Sequence, residues 1–322
     1  ILGCFLDGIS MVVLTMGVLM PTVNAATGET RALIDEVTTT FIDYSQKSYF
    51  QRLDKTNELT WMSERSGWNH LYLIDSRTGA VKNAITRGNW VVRSVQSFDP
   101  EKRQLVLGIM GFHSGEDPYH VHFARVNLDG SGFTLLTEDD GTHEIRFSPN
   151  GKYLIDTYSR VDLAPVSNLR DTETGRLLVS LEQADVKDYR AKGFKFAERF
   201  VAKGRDGETD IFGVIYRPLN HDPKQKYPVI EQIYAGPHGA HVPKVFSPVS
   251  APQAMAEFLD VWLEDADLAG HLNELRQRPF MKFPNAGVLI SGAGRCLIEA
   301  RRLLLGCTEK NGFEHAPAQE DH

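Results

Sequence analysis

The chain is poor in cysteine, in basic clusters and in long uninterrupted apolar runs. Three cysteines in 322 residues (Cys4, Cys296 and Cys307) make neither a disulfide framework nor the paired spacing of a thiolate metal site. Lys and Arg number 35 against 42 Asp and Glu, a net charge of −7, and no run of basic residues interrupts the chain. A surface that tracks a phosphate backbone needs such runs, so no nucleic-acid partner is expected. The most apolar stretch, residues 9–20, falls short of the roughly 20 residues of a membrane helix, and Asp7 stands just before it. A full Gly-x-Gly-x-x-Gly is also missing: Leu297 stands where Gly292-x-Gly294 would need its third glycine. No cofactor is expected.

Residues 9–20 are followed by Val23-Asn24-Ala25, which has the small-residue pattern of a signal-peptidase site, yet no Lys or Arg precedes the run. A secretory leader and a buried strand are both open readings of this segment, and membrane association stays open with them.

What the chain does have is a repeating pattern of short strands and glycine turns. Gly28, Gly79, Gly132 and Gly175 each close a turn between apolar runs and lie 51, 53 and 43 residues apart. A Thr-Gly or Asp-Gly pair there supplies the positive φ of a hairpin. A second marker precedes each turn: Leu53 to Ser63, Phe98-Asp-Pro to Leu107, and Phe147-Ser-Pro-Asn-Gly to Asp156. Two markers at this period, with several strands per period, predict β-propeller blades. About three whole blades are expected over 49–185, with the end of another before them. A blade cannot cover both faces of its own sheet, so a short stack leaves an apolar face at its end. Trp61, Trp68, Trp90 and Tyr72 are expected to pack between blades.

After a polar connector (186–197), two strands flank Gly204-Arg-Asp-Gly207. Asp206-Gly207 reads as a hairpin turn before it reads as an exposed recognition tripeptide. Val229, Ile230 and Ile233 then form a short apolar run that stops at Tyr234-Ala-Gly-Pro-His-Gly239, a buried strand ending in a loop at the rim of a crevice. Beyond Pro252 the periodicity turns helical through Met255, Phe258, Leu259 and Trp262, with a further helix from Cys296 to Leu305. The expected divisions are an apolar segment (1–25), a partial propeller (26–197), a connector with the first strands of a second domain (198–248), and a helical segment (249–322).

Residues 198–239 resemble the passage from propeller to hydrolase domain in the prolyl oligopeptidase family of serine peptidases. The Tyr-Ala-Gly-Pro form is similar to its dipeptidyl peptidase IV branch. The fold that this implies is mainly β: a partial propeller of about three to four blades, then the opening of an α/β-hydrolase domain. The resemblance implies release of dipeptides from the free N-terminus of a peptide substrate, a homodimer, and a secreted, periplasmic or membrane-associated protein. It also implies that Tyr234 helps to form the oxyanion hole, where a donor aimed at developing charge contributes about 3–4 kcal/mol.

The rest of that machinery has no counterpart in the sequence. No serine stands in Gly-x-Ser-x-Gly; Ser291 comes nearest, with Leu289 and Ala293 at the glycine positions. His315 and His322 lie too near the end to complete a Ser, Asp, His order. No two glutamates are adjacent, so the paired carboxylates that would anchor a substrate amine are not found. The chain is expected to be inactive alone; the alternative is a non-catalytic propeller fragment used for binding, or a degenerate relative. His120 and His122, with His113 and His143 near, have a spacing that can bind zinc, but no recognisable acidic partner completes it. They are read as satisfied or solvated strand positions, Glu138-Asp139-Asp140 as a solvated turn, and no metal is expected.

Overall fold

The computed structural model describes residues 18–23 (backbone), 27–40, 48–227, 229, 232, 241–248, 250, 252–254 and 256. They divide between two compact units. The first holds all the sheets below together with 241–248. In the second, the Asp222 amide donates to the Tyr227 hydroxyl at 2.8 Å and Gln253 Nε2 donates to the Arg217 carbonyl at 3.0 Å.

Strands β1 (Val18–Val23) and β2 (Thr30–Glu36) form an antiparallel pair. The end of the apolar run thus lies in a strand; residues 1–17 are outside the described residues. Three four-stranded antiparallel sheets follow, and they are the expected blades. Blade 1 is β3 (Phe50–Leu53), β4 (Glu58–Ser63), β5 (His70–Asp75) and β6 (Val81–Ala84). Blade 2 is β7 (Val91–Asp99), β8 (Gln104–Met110), β9 (Val121–Asn127) and β10 (Thr134–Leu135). Blade 3 is β11 (Thr142–Phe147), β12 (Tyr153–Arg160), β13 (Leu163–Asp171) and β14 (Leu177–Gln183). Helix α1 (Lys187–Ala191) lies in the connector, and β15 (Glu198–Lys203) pairs with β16 (Asp210–Ile215) around Asp206-Gly207, the expected hairpin.

The period of two explains the stacking. Along β5, Leu71 and Leu73 face blade 2, while Tyr72 and Ile74 face Leu33 and Ile34 of β2. Along β8, Leu105, Leu107 and Ile109 face blade 1, while Val106 turns to Leu136, just after β10, and to Ile145 and Leu154 of blade 3. Strands covered on both faces read as continuous apolar runs, as Leu71–Ile74 and Leu105–Ile109 do. Trp90, Tyr72 and Trp61 pack between sheets as expected. Trp68 does not: it is exposed, because it sits in the turn before β5.

The turn glycines have a second task. Gly79 and Gly175 take positive φ, and a Cβ at either would run into a carbonyl of the preceding sheet, Leu33 or Leu135. The hairpin tip of one sheet thus rests on the outer strand of the sheet before it, and only glycine allows that approach.

Candidate functional site

The densest set of chemically active side chains lies where blade 2 meets blade 3. The loop between β8 and β9 contributes His113, Glu116, Asp117 and His120, and β9 contributes His122. Asp139 and Asp140 follow β10, and blade 3 adds His143, Asp156, Tyr158, Arg160 and Arg170. The rings form a row: His113 to His122 at 4.6 Å, His122 to His143 at 4.8 Å, and His143 to Tyr158 at 5.1 Å.

At the blade 3 end of the row every charge has a partner. His143 bonds Asp156 through Nδ1 and the Asp139 carbonyl through Nε2, both at 2.6 Å. Arg170 donates from Nε to Asp156 at 2.8 Å and also pairs with Asp139. Asp156 and Arg170 are buried, and this closed network is what makes their burial tolerable. Arg160 bridges Asp140 at 2.5 Å and Asp162 at 2.8 Å, and Arg199 reaches Asp162 at 3.2 Å. Burial pushes the Asp162 carboxyl up, but Arg160 and Arg199 outweigh it and hold the group below the usual carboxylate range.

Segment 241–248 lies against the same loops. Lys244 pairs with Asp117 at 2.5 Å and stands 5.0 Å from the Tyr119 ring centre, and the Phe246 amide donates to the Ser159 hydroxyl at 3.3 Å.

The blade 2 end is different. His120 is buried and bonds Asp140 at 3.1 Å; burial is the largest influence on it and lowers its pKa. His122 is 2% exposed; its Nε2 meets Glu116 at 3.0 Å, and its Nδ1 is buried with no hydrogen-bond partner. Burial first, then the neighbouring His143, His113 and His120, pull its pKa down to about 3, so the ring is neutral. Burial likewise raises the Glu116 pKa. Nε2 of His113 is a second buried nitrogen without a partner. Among the described residues Glu116 pairs with His122 and with no lysine or arginine.

These findings correct two expectations. The histidines do have acidic partners, Glu116 and Asp140, one supplied by the β8–β9 loop and the other by the connection from β10 to β11, which strand spacing alone does not reveal. Asp139 and Asp140 are not a solvated turn, because Arg170, Arg160 and His120 take up their carboxylates. Among the described residues, none of His113, His120, His122 and His143 bonds a serine or threonine hydroxyl, so the cluster has no activated nucleophile. Its donors suit holding a cation or a fold more than covalent chemistry. Tyr234, Ser291, Gly292, Gly294, His315 and His322 lie outside the described residues.

Residues 16–165 match the family model for the dipeptidyl peptidase IV N-terminal region. Dipeptidyl peptidase 4 of Arthroderma otae is 28% identical over 203 residues, covering 61% of this chain and 25% of that protein. Dipeptidyl peptidase 4 of Trichophyton equinum is 29% identical over 195 residues, covering 58% of this chain and 24% of that protein. The matched part thus spans about a quarter of the length of these relatives. Among solved structures, a Bacteroides ovatus protein assigned as a dipeptidyl aminopeptidase IV superposes with TM-score 0.58 at 26% identity, over 74% of this chain and 36% of that one. Dipeptidyl peptidase 4 of Porphyromonas gingivalis shares the fold with TM-score 0.58, at 23% identity over 76% of this chain and 34% of that one. In their stacked blades, their turn repeats and this match, residues 16–165 are similar to the N-terminal region of the dipeptidyl peptidase IV proteins.

Proposed function

We propose that this chain supplies propeller blades and the opening of the hydrolase domain of a serine peptidase that releases dipeptides from peptide N-termini, and that alone it is inactive. The observation that carries the reading is the family match over 16–165, which falls on the blades. In the whole protein the reaction would run through an acyl-enzyme, with Tyr234 donating a hydrogen bond to the oxyanion. The nucleophile, its base and the amine-anchoring carboxylates would come from elsewhere in that protein.

The outer face of blade 3 favours this over a self-sufficient binding fragment. Tyr153, Ile155, Leu177, Val179 and Leu181 are each between 42 and 51% exposed, and Ile155 and Val179 both register against Leu169. An apolar row of this kind suits contact with a further blade or a second chain.

Two experiments test the reading. The purified chain should not turn over a Gly-Pro chromogenic amide; turnover that Ser291→Ala abolished would overturn the claim of inactivity. In a chimaera where residues 27–248 replace the matching part of an active dipeptidyl peptidase, dipeptide release should persist. There Tyr234→Phe should lower kcat by about 10²–10³-fold. An unchanged kcat would remove Tyr234 from the oxyanion site.

A further inference from the structure

The blade 2 end of the histidine row has the features of a cation site that its surroundings do not otherwise use. One ring nitrogen each from His113 and His122 and a carboxylate oxygen of Glu116 lie within 4.8 Å of one another. His122 is nine-tenths buried or more, and its Nδ1 has no partner; nor has Nε2 of His113. An unpartnered buried polar group costs about 1–3 kcal/mol, so two side by side call for a compensating ligand.

Charge points the same way. Around the row stand Glu116, Asp117, Asp139, Asp140, Asp156 and Asp162. Lys244 serves Asp117, Arg170 serves Asp139 and Asp156, and Arg160 and Arg199 serve Asp140 and Asp162. Among the described residues Glu116 is the acid that pairs with an imidazole and with no lysine or arginine. A second group, Glu116 with His120 and Asp140, is less open, because His120 and Arg160 already occupy Asp140.

We propose that His113, Glu116 and His122 bind a divalent transition-metal ion of the zinc type, which ties the β8–β9 loop to the blade 2–3 junction. Two imidazoles and a carboxylate are a zinc-like donor set, whereas calcium and magnesium prefer oxygen alone. Ligands about 2.0–2.2 Å from a tetrahedral ion stand about 3.3–3.5 Å apart, so the loop needs to close by about an ångström. Water would fill the fourth position. The site is independent of the peptidase reading, since none of its residues is assigned to that chemistry.

The test uses the full chain, stripped with a chelator and titrated with Zn²⁺ against a chromophoric competitor. Co²⁺ serves as a second probe through its visible absorption. One equivalent should bind with micromolar affinity or tighter and raise the melting temperature. His113→Ala, Glu116→Gln and His122→Leu should each weaken binding by about 100-fold or more, since even outer groups around a metal matter 10–100-fold. His70→Leu, at the equivalent place in blade 1, should leave it unchanged. Failure of the wild-type chain to bind saturably would overturn the proposal. So would binding unaltered by Glu116→Gln and His113→Ala, which change a loop residue each and keep the test valid if His122→Leu does not fold.

Discussion

The two inter-blade junctions differ in what they bury. Between blades 1 and 2 the filling is apolar: Leu71, Leu73, Leu105, Leu107 and Ile109, with Trp90 stacked edge-on against Phe112. A buried histidine here, His70, is held by neutral groups, Thr86 Oγ1 at 2.9 Å and the Gly88 carbonyl at 3.0 Å, and its ring meets Trp90. Between blades 2 and 3 the apolar set is smaller, and the rest of the junction is histidine, carboxylate and arginine. His122 stands where His70 does, five residues before the turn that opens with Asp75 or Asn127. Even the threonines match: Thr86 and Thr137 each accept the amide of the residue after the histidine. Yet His70 is satisfied on both nitrogens and His122 on one. The same backbone position can thus hold a fully bonded histidine or a half-bonded one, and the residues around it decide which.

The largest effect that would test this contrast lies at the charged junction. Arg170→Ala would leave Asp156 buried beside an unbalanced network, and should cost about 3–5 kcal/mol in chemical denaturation. A loss under about 1 kcal/mol would mean that the junction is wetter than its geometry implies.

Next comes the direct comparison of the two histidines. His70→Leu should cost about 1–3 kcal/mol, because it strands Thr86 and the Gly88 carbonyl. His122→Leu in the metal-free chain should cost less, about 1 kcal/mol or under, since it strands the partly exposed Glu116 but also removes a polar ring that is only half satisfied. Equal losses would erase the distinction between the two sites.

The smallest effect concerns the apolar junction, where the buried Glu58 pairs with Lys82 of blade 1 and Arg103 of blade 2. Burial pushes the Glu58 carboxyl up, but hydrogen bonds from Lys82, Thr56 and Arg103 outweigh it and hold its pKa at about 2. A carboxylate lowered on folding adds stability above its unfolded pKa, near 4.5, and loses it as pH falls toward 2. Lys82 and Arg103 are 44 and 37% exposed, so screening limits the contribution to about 1–2 kcal/mol. Relative to wild type, Glu58→Gln should therefore flatten the stability profile between pH 5 and about 2, read by thermal melts across that range.

Much of the fold is legible in the residues because it is local. The period of two, the Asp-to-Gly turns and their recurrence every 43 to 53 residues depend on near neighbours. Asp75 shows how: its side chain accepts the amides of Arg77 and Thr78 at 2.9 Å, so the turn is written within five residues. The candidate site is legible only in part. His120 and His122 are visible as a pair, but Glu116 reaches His122 through a loop and Asp140 comes from across a strand and a turn. Trp68 misleads for the same reason, because an aromatic residue announces burial and the turn around it does not supply it.

By itself, then, the sequence settles that short strands form, where they turn, and which side chains face in, because hydrophobic periodicity and glycine conformation act over a few residues. Which sheet covers which face, which carboxylate meets which histidine, and which buried nitrogen goes without a partner are settled only when blades stack. Those contacts join residues tens of positions apart, and the free energy of pairing or stranding a charge exists only once water has been excluded from between them.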